Sequence, residues 1–362
     1  MSESKGTPAR LPISALGEFD LIRRLVRGET QATSRAVHAQ LIGPGDDCAA
    51  LLLSHFAPTG GWLVWSTDVM VEQVHFTREY FAGFDLGWKL LAVNLSDIAA
   101  VGGKPLAALI TLQLPASTEL HFVEELYRGL NALAEKWNVS ILGGDTVEAR
   151  ELSVGASIVG ICERPPIRRS AAKPGEDLWL SGEIGASNLG LTLLKRELQS
   201  EGLKTYAEDV CARHLRPIPR LELGLALSHA LATAMIDVSD GLLQDATHLA
   251  RESNVTLELA LDTVPYHPGV DGGALGRGQA ITGGEDYELL FTSPVGNRER
   301  ITQLSGDFGA LEVPLTRIGS VIERDPAGAL VIVVDHDKKF EANAWVKNIA
   351  HLPVVGYEHF KP

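Results

Sequence analysis

Carboxylates placed at the ends of apolar runs constrain this chain more than any other feature. Gly43-Pro44-Gly45-Asp46-Asp47 opens one apolar stretch, and Ser66-Thr67-Asp68 follows the run Trp62-Leu63-Val64-Trp65. Further examples are Asp97, Gly143-Gly144-Asp145 and Asp237-Val238-Ser239-Asp240. Two carboxylates about 4 Å apart repel by roughly 4 kcal/mol at an effective dielectric near 20. A fold that gathers several of them therefore needs a cation among them. Asp oxygens with hydroxyl and carbonyl neighbours are hard ligands, which suit Mg²⁺ better than zinc. Taken singly, each Asp also reads as a turn former or N-cap, and Ser66, Thr67 and Ser239 as caps. The residue pattern leaves both readings open.

The length of 362 residues exceeds one ordinary core and fits two domains, with 45% hydrophobic residues to fill them. A net charge of −14 argues against non-specific nucleic-acid binding and against an anionic membrane surface. An acidic protein that handles phosphates must bring its own metal. Cys48, Cys162 and Cys211 are scattered, without a CxxC pair, and read as reduced thiols. Met1 to Pro12 is polar with no apolar core, which gives the expectation of a cytoplasmic protein without signal or anchor.

Residues 1–14 read as a disordered leader, and Gly17 to Ile22 opens a short helix. Gly43-Pro44-Gly45 is a turn, followed by a strand from Cys48 to Leu53. Trp62 to Trp65 predicts a strand that delivers Ser66, Thr67 and Asp68 at its C-terminal end. Apolar residues at Trp88, Leu91, Leu95 and Ile98 predict a helix from an Asp85 N-cap to Val101, with Asn94 and Asp97 on another face. Leu106 to Leu114 is a strand, and Thr118 caps a helix carrying Val123, Leu126, Leu130, Leu133 and Trp137. A strand over Val139 to Leu142 runs into the turn Gly143-Gly144-Asp145-Thr146, and Leu152 to Cys162 is another strand.

Arg164-Pro165-Pro166 breaks the pattern and predicts a boundary near 165, dividing the chain into 15–165 and 166–362. Beyond it, Leu178 to Leu180 is a strand before a helix that starts near Gly185. Ala234 to Ile236 leads into Asp237-Val238-Ser239-Asp240 and a helix carrying Leu242, Leu243, Ala246 and Leu249. Gly283-Gly284-Glu285-Asp286 precedes a strand from Tyr287 to Phe291, so glycine pairs followed by acid occur once in each half. Gly185 and Gly190 have P-loop spacing, but Leu191 stands where that motif requires Lys, and no GxGxxG is present. His75 reads as an exposed loop histidine and Tyr357 as edge packing. Arg169 reads either as a solvated cation or as a phosphate fork.

Six motifs in order, Gly45-Asp46-Asp47-Cys48-Ala49, Ser66-Thr67-Asp68, Asn94-Leu95-Ser96-Asp97, Gly143-Gly144-Asp145-Thr146, Asp237-Val238-Ser239-Asp240-Gly241 and Gly283-Gly284-Glu285-Asp286-Tyr287-Glu288, resemble the thiamine-monophosphate kinase family. The likeness runs from about Gly17 to Tyr357. It implies an α/β fold of mixed sheets in the two-domain architecture of aminoimidazole ribonucleotide synthetase, and ATP binding without a P-loop. The N-terminal domain would bind metal and ATP and form a homodimer, and the C-terminal domain would complete the site. The implied magnesium ligands are Asp47, Ser66, Thr67, Asp68, Asp97, Asp145, Asp237 and Asp240, of which Asp68, Asp97, Asp145 and Asp240 would carry catalysis. Gly144, Asp145, Arg169 and Ser239 would contact the nucleotide, and His75, Glu285 and Tyr357 the thiamine phosphate. The implied reaction is ATP-dependent conversion of thiamine monophosphate to thiamine diphosphate.

The leader and the stretch from Asp262 to Arg277 depart from the family's pattern. Related hydrogenase-maturation enzymes should end in a reactive Cys, whereas this sequence ends Gly356-Tyr357-Glu358-His359-Phe360-Lys361-Pro362. Selenophosphate synthetases should carry a catalytic Cys before position 48, where this sequence has none. A two-metal phosphohydrolase or a non-catalytic binding protein are the rivals of a different class.

Overall fold

The structure is a computed structural model that describes residues 41–42, 46–52, 61–196, 204–270, 276–305, 313–336 and 338–348. The expected leader, the helix from Gly17, the Gly43–Gly45 turn and Tyr357 lie outside the described residues. The fold is mixed α/β, built around two sheets.

The first sheet has the order β1-β2-β3-β6-β4-β5, formed by β1 (Leu41–Ile42), β2 (Ala49–Leu52), β3 (Trp62–Val71), β4 (Lys104–Leu114), β5 (Ser140–Glu148) and β6 (Ser153–Cys162). Its pairs are antiparallel apart from β4 with β5, which run parallel. Helices α1 (Gly83–Ala100) and α2 (Leu120–Trp137) pack against each other. The leucine spacing forces this arrangement: Leu86, Leu90, Leu91 and Leu95 of α1 and Leu126, Leu130 and Leu133 of α2 are all fully buried. Each such side chain contributes roughly 1.5–3 kcal/mol of burial.

The second sheet has the order β13-β12-β9-β11-β7-β10-β8. Its strands are β7 (Asp177–Ser181), β8 (Met235–Asp237), β9 (Thr256–Ala260), β10 (Leu289–Ser293), β11 (Leu315–Ile322), β12 (Val331–Asp335) and β13 (Lys338–Glu341). The helices of this half are α3 (Ala186–Leu194), α4 (Ala207–Leu215), α5 (Leu221–Leu227), α6 (Leu242–Ser253), α7 (Arg277–Thr282), α8 (Arg298–Leu304) and α9 (Ala342–Asn348). One apolar core lies around α1 and α2 and extends to Leu223, Leu227, Met235 and Leu289, while a second surrounds α6. The first core thus ties α1 to β8, whose end carries Asp237.

Four expectations need correction. β3 runs on to Val71, so Ser66, Thr67 and Asp68 lie within the strand, because β6 pairs with it along all ten residues from Trp62↔Cys162 to Val71↔Ser153. β5 continues through Gly143-Gly144-Asp145-Thr146, because β4 pairs with it as far as Glu148 after a bulge at Ala108/Leu109. β10 starts at Leu289, since Glu285 and Tyr287 adopt φ values of 68° and 52°, which a strand cannot hold. Asp85 and Thr118 cap nothing: the N-caps are Ala82 and Glu119, without side-chain bonds. Asp85 instead lies 3.3 Å from Arg216 Nε.

Candidate active site

A cavity of about 1500 Å³ opens between the inner face of the first sheet, α1 and the second half of the chain. Strand alternation decides what reaches it. Along β3, Ser66 and Asp68 turn inward, whereas Trp65, Thr67 and Val69 are exposed on the outer face. One helical face of α1 adds Asp97, and the end of β8 adds Asp237.

Asp47, Asp97 and Asp237 each offer a carboxylate oxygen within 4.8 Å of the others. Ser66 Oγ donates to Asp97, and Ser96 Oγ donates to Asp237 at 2.6 Å, so neighbouring hydroxyls aim two of the three. Burial pushes the Asp97 carboxyl well above the usual range, and the charges of Asp68, Asp237 and Asp47 push it further. Asp237 is raised well above its ordinary value, first by burial and then by Asp47. Asp68 is raised by burial, against a hydrogen bond with Asp97 that pulls it down. Three converging carboxylates, of which burial and neighbouring acids push Asp97 and Asp237 upward, are what a divalent cation relieves, and an all-oxygen donor set fits Mg²⁺.

Arg169 closes one side. Its Nε and Nη2 donate to the two oxygens of Asp47 at 3.0 and 2.7 Å, and its backbone N donates to Asp46 Oδ1 at 2.5 Å. The solvated reading of Arg169 is thereby replaced, and Asp46 becomes the support that orients it. A carboxylate has about four lone-pair sites, so Asp47 can accept both arginine bonds and still face a cation.

Asp240 lies on the same cavity beside Ser239. Its backbone N donates to Asp245 Oδ2 at 3.1 Å, and Asp240, Asp245 and His248 bring one ligand atom each within 4.8 Å. His75 lines the cavity half-buried, its Nδ1 accepting from Val71 N at 3.0 Å. Glu285 lines the same cavity, next to Gly283 and Gly284. Gly284 is required there, because a Cβ would fall 2.2 Å from the Ser239 carbonyl oxygen.

Five expected residues stand outside the cavity lining: Asp47 and Ser66 reach it only through Arg169 and Asp97, and three lie farther away. Thr67 points outward and donates to the Ala156 carbonyl at 2.9 Å. Asp145, level with Thr111 on the outer face of β5, is exposed. Gly144 shares the cross-strand row Asp68–Ala156–Ile110–Gly144, three strand spacings or roughly 14 Å away. Sequence reasoning missed Lys89, His214 and Asp245. Lys89 had a signal, being the one cation in an 18-residue helix whose residues are nearly all buried.

The match to the family model for AIR synthase related protein, N-terminal domain, covers residues 45–162. A thiamine-monophosphate kinase of Bacillus subtilis (strain 168) is 34% identical over 351 residues, spanning 96% of this chain and 100% of the relative. One of Salmonella typhimurium is 37% identical, spanning 85% and 91%. A solved structure described as "AaThiL complexed with AMPPCP and TMP" has a TM-score of 0.78 at 31% identity, covering 97% of this chain and 99% of the other. A HypE–HypF complex shares the fold at 17% identity and a TM-score of 0.63. Among the described residues no helix is long and apolar enough to cross a membrane. With such identity across nearly its whole length, the chain belongs to the thiamine-monophosphate kinase family.

Proposed function

We propose that this chain transfers the γ-phosphoryl group of ATP to the phosphate of thiamine monophosphate, giving thiamine diphosphate and ADP. The observation that carries this reading is the convergence of Asp47, Asp97 and Asp237 beside a cavity of about 1500 Å³. A pocket for one small ligand holds about 300–1000 Å³, so this one has room for two substrates side by side.

The acceptor phosphate, with a second pKa of about 6, is already largely a dianion at neutral pH, so no strong general base is needed. The obstacle is bringing it up to the polyanionic nucleotide. Asp47, Asp97 and Asp237, with Asp68 next to Asp97 and Asp240 on the segment after Asp237, would hold Mg²⁺, which when bound screens that repulsion and polarises the phosphoryl oxygens. Ser66 and Ser96 keep their carboxylates aimed inward. Arg169, whose Nε and Nη2 hold Asp47, would turn its remaining Nη edge to a nucleotide phosphate, and the Ser239 backbone and Gly284 pack together to form that wall. His75 and Glu285 line the part of the cavity assigned to the thiamine moiety, and Tyr357 belongs to the same assignment.

The same reading includes a homodimer. Trp65, Val69, Leu109 and Val147 are exposed apolar side chains on the outer face of the first sheet, which a second copy would cover. That face also carries Thr67 and Asp145, and Gly144 lies on the adjoining edge strand, so pairing would bring these residues to the interface between protomers. The division into 15–165 and 166–362 follows the two sheets, and a cytoplasmic setting suits the free cysteines Cys48, Cys162 and Cys211. Purified protein with ATP, Mg²⁺ and thiamine monophosphate should form thiamine diphosphate and stop when the metal is chelated. Free phosphate without thiamine diphosphate would favour a hydrolase instead.

A further inference from the structure

Behind the Glu285 carboxylate stand two side chains that neither the metal nor the nucleotide chemistry uses. Lys89 of α1 is 0% exposed, with its Nζ 2.8 Å from Glu285 Oε1 and 5.4 Å from the centre of the Phe81 ring. His214 of α4 is 1% exposed, with Nδ1 3.4 Å from Glu285 Oε2 and 3.0 Å from Ser187 Oγ. Glu285 itself is 28% exposed and lines the cavity. Each carboxylate oxygen thus has a buried partner from a different helix, while the side chain keeps part of its surface on the cavity.

Such an arrangement is costly. Taking an ammonium out of water costs several kcal/mol even when paired, and an apolar side chain would have packed in α1 without that cost. The turn adds strain, since Glu285 and Tyr287 sit in the left-handed region at φ 68° and 52°. Bonds from Glu285 N to Ser239 O at 2.8 Å and from Tyr287 N to Val238 O at 2.9 Å hold it there. A buried cation and a strained turn converge on one carboxylate, and strain of this kind marks ligand clamps.

We propose that Lys89 and His214 are positioning residues for substrate selection, fixing the Glu285 carboxylate in one orientation toward the cavity so that it meets the cationic ring of the thiamine phosphate. The proposal rests on the reading of Glu285 as a substrate contact. Lys89 and Glu285 cancel in charge, while burial and then the Lys89 charge push His214 down to about 3, so it is neutral. What faces the cavity is a dipole with its negative end outward, which orients a cation without leaving an uncompensated buried carboxylate. The groups facing Glu285 are Lys89 from α1, His214 from α4, His75 from the segment after β3 and Tyr287 from its own turn. Burial pushes the Glu285 carboxyl up, but the charge and hydrogen bond of Lys89 hold it below its ordinary value.

Lys89→Met removes the cation and leaves the burial, so the Glu285 carboxyl should titrate upward. Steady-state kinetics between about pH 7 and 9, where the acceptor phosphate is already a dianion, read this out. For wild type the KM for thiamine monophosphate should be flat across that range. For Lys89→Met it should rise about tenfold at pH 7 and recover toward pH 9, with the KM for ATP within about twofold of wild type. Adding Glu285→Gln should abolish the slope. His214→Asn, which keeps the ion pair, gives a second variant and should raise the same KM by about threefold without a slope. A KM for thiamine monophosphate that stays at the wild-type value, or KM values for both substrates that rise together at every pH, would overturn the proposal in favour of a purely structural ion pair. A wild-type protein that makes no thiamine diphosphate would instead overturn the reading of function on which it rests.

Discussion

Gly143-Gly144-Asp145 and Gly283-Gly284-Glu285-Asp286 begin alike in sequence and end in opposite environments. The first lies within edge strand β5, where Gly144 at φ 154° fits only because it lacks a Cβ, which would fall 1.6 Å from the Ile110 carbonyl oxygen. Its acid is exposed on the outer face. The second is a tight turn whose acids are engaged: Glu285 with Lys89 and His214, and Asp286 with the backbone N of Gly185 and Ser187 at the start of α3. Glycine followed by acid sets up a backbone permitted to approach its neighbour closely; what packs behind it decides whether the acid is solvated or buried.

The buried and exposed acids should differ most in what their loss does to turnover. Asp97→Asn should lower turnover on the order of a thousandfold or more, with the melting midpoint kept or raised, because one of several mutually repelling buried acids is gone. A wild-type rate would remove Asp97 from the site. Asp145→Asn should cost about a hundredfold in turnover, with the midpoint within about 2 °C, since its exposed side chain supports little of the fold. A full rate would confine the chemistry to the second glycine turn and the inner cluster.

Gly284→Ala tests the second turn at its backbone. It should destabilise by about 2–4 kcal/mol in urea unfolding and raise the KM for thiamine monophosphate, because the turn carrying Glu285 must shift. Gly144→Ala should destabilise without selecting that substrate, and equal effects on both KM values in the two variants would erase the distinction.

The smallest effect concerns Asp286, which burial pushes up to about 7 from 3.8 against the two backbone donors. An acid whose folded value stands above its unfolded one favours the folded state while protonated, and that contribution is lost as pH rises from about 4 through about 7. The Tm of Asp286→Asn relative to wild type should therefore rise by a few degrees between about pH 4 and 8, on top of a constant loss from the backbone N–H bond that the amide nitrogen cannot accept. A difference independent of pH would show that Asp286 does not titrate there.

Much of the scaffold was legible because periodicity is local. The leucines of α1 and α2 announced both helices, and the apolar runs announced β3, β4 and β6. Strand ends were not legible: β3 and β5 extend past their apolar runs because β6 and β4 supply partners for the extra residues. The same limit hid which of Ser66, Thr67 and Asp68 faces inward, since alternation gives two faces without saying which is the core side. The six motifs supplied candidate residues, and the structure brings Asp47, Asp97 and Asp237 together while leaving Thr67 and Asp145 on the outer face. Lys89 escaped notice because its partners, Glu285 and His214, lie 196 and 125 positions away in the sequence.

The most direct test follows the label from [γ-³²P]ATP in the presence of Mg²⁺ and thiamine monophosphate, with wild type and Asp97→Asn side by side. Label should appear in the terminal phosphate of thiamine diphosphate, matched by ADP and nearly absent with Asp97→Asn. Label appearing only as inorganic phosphate, or equally with both proteins, would contradict the proposed transfer.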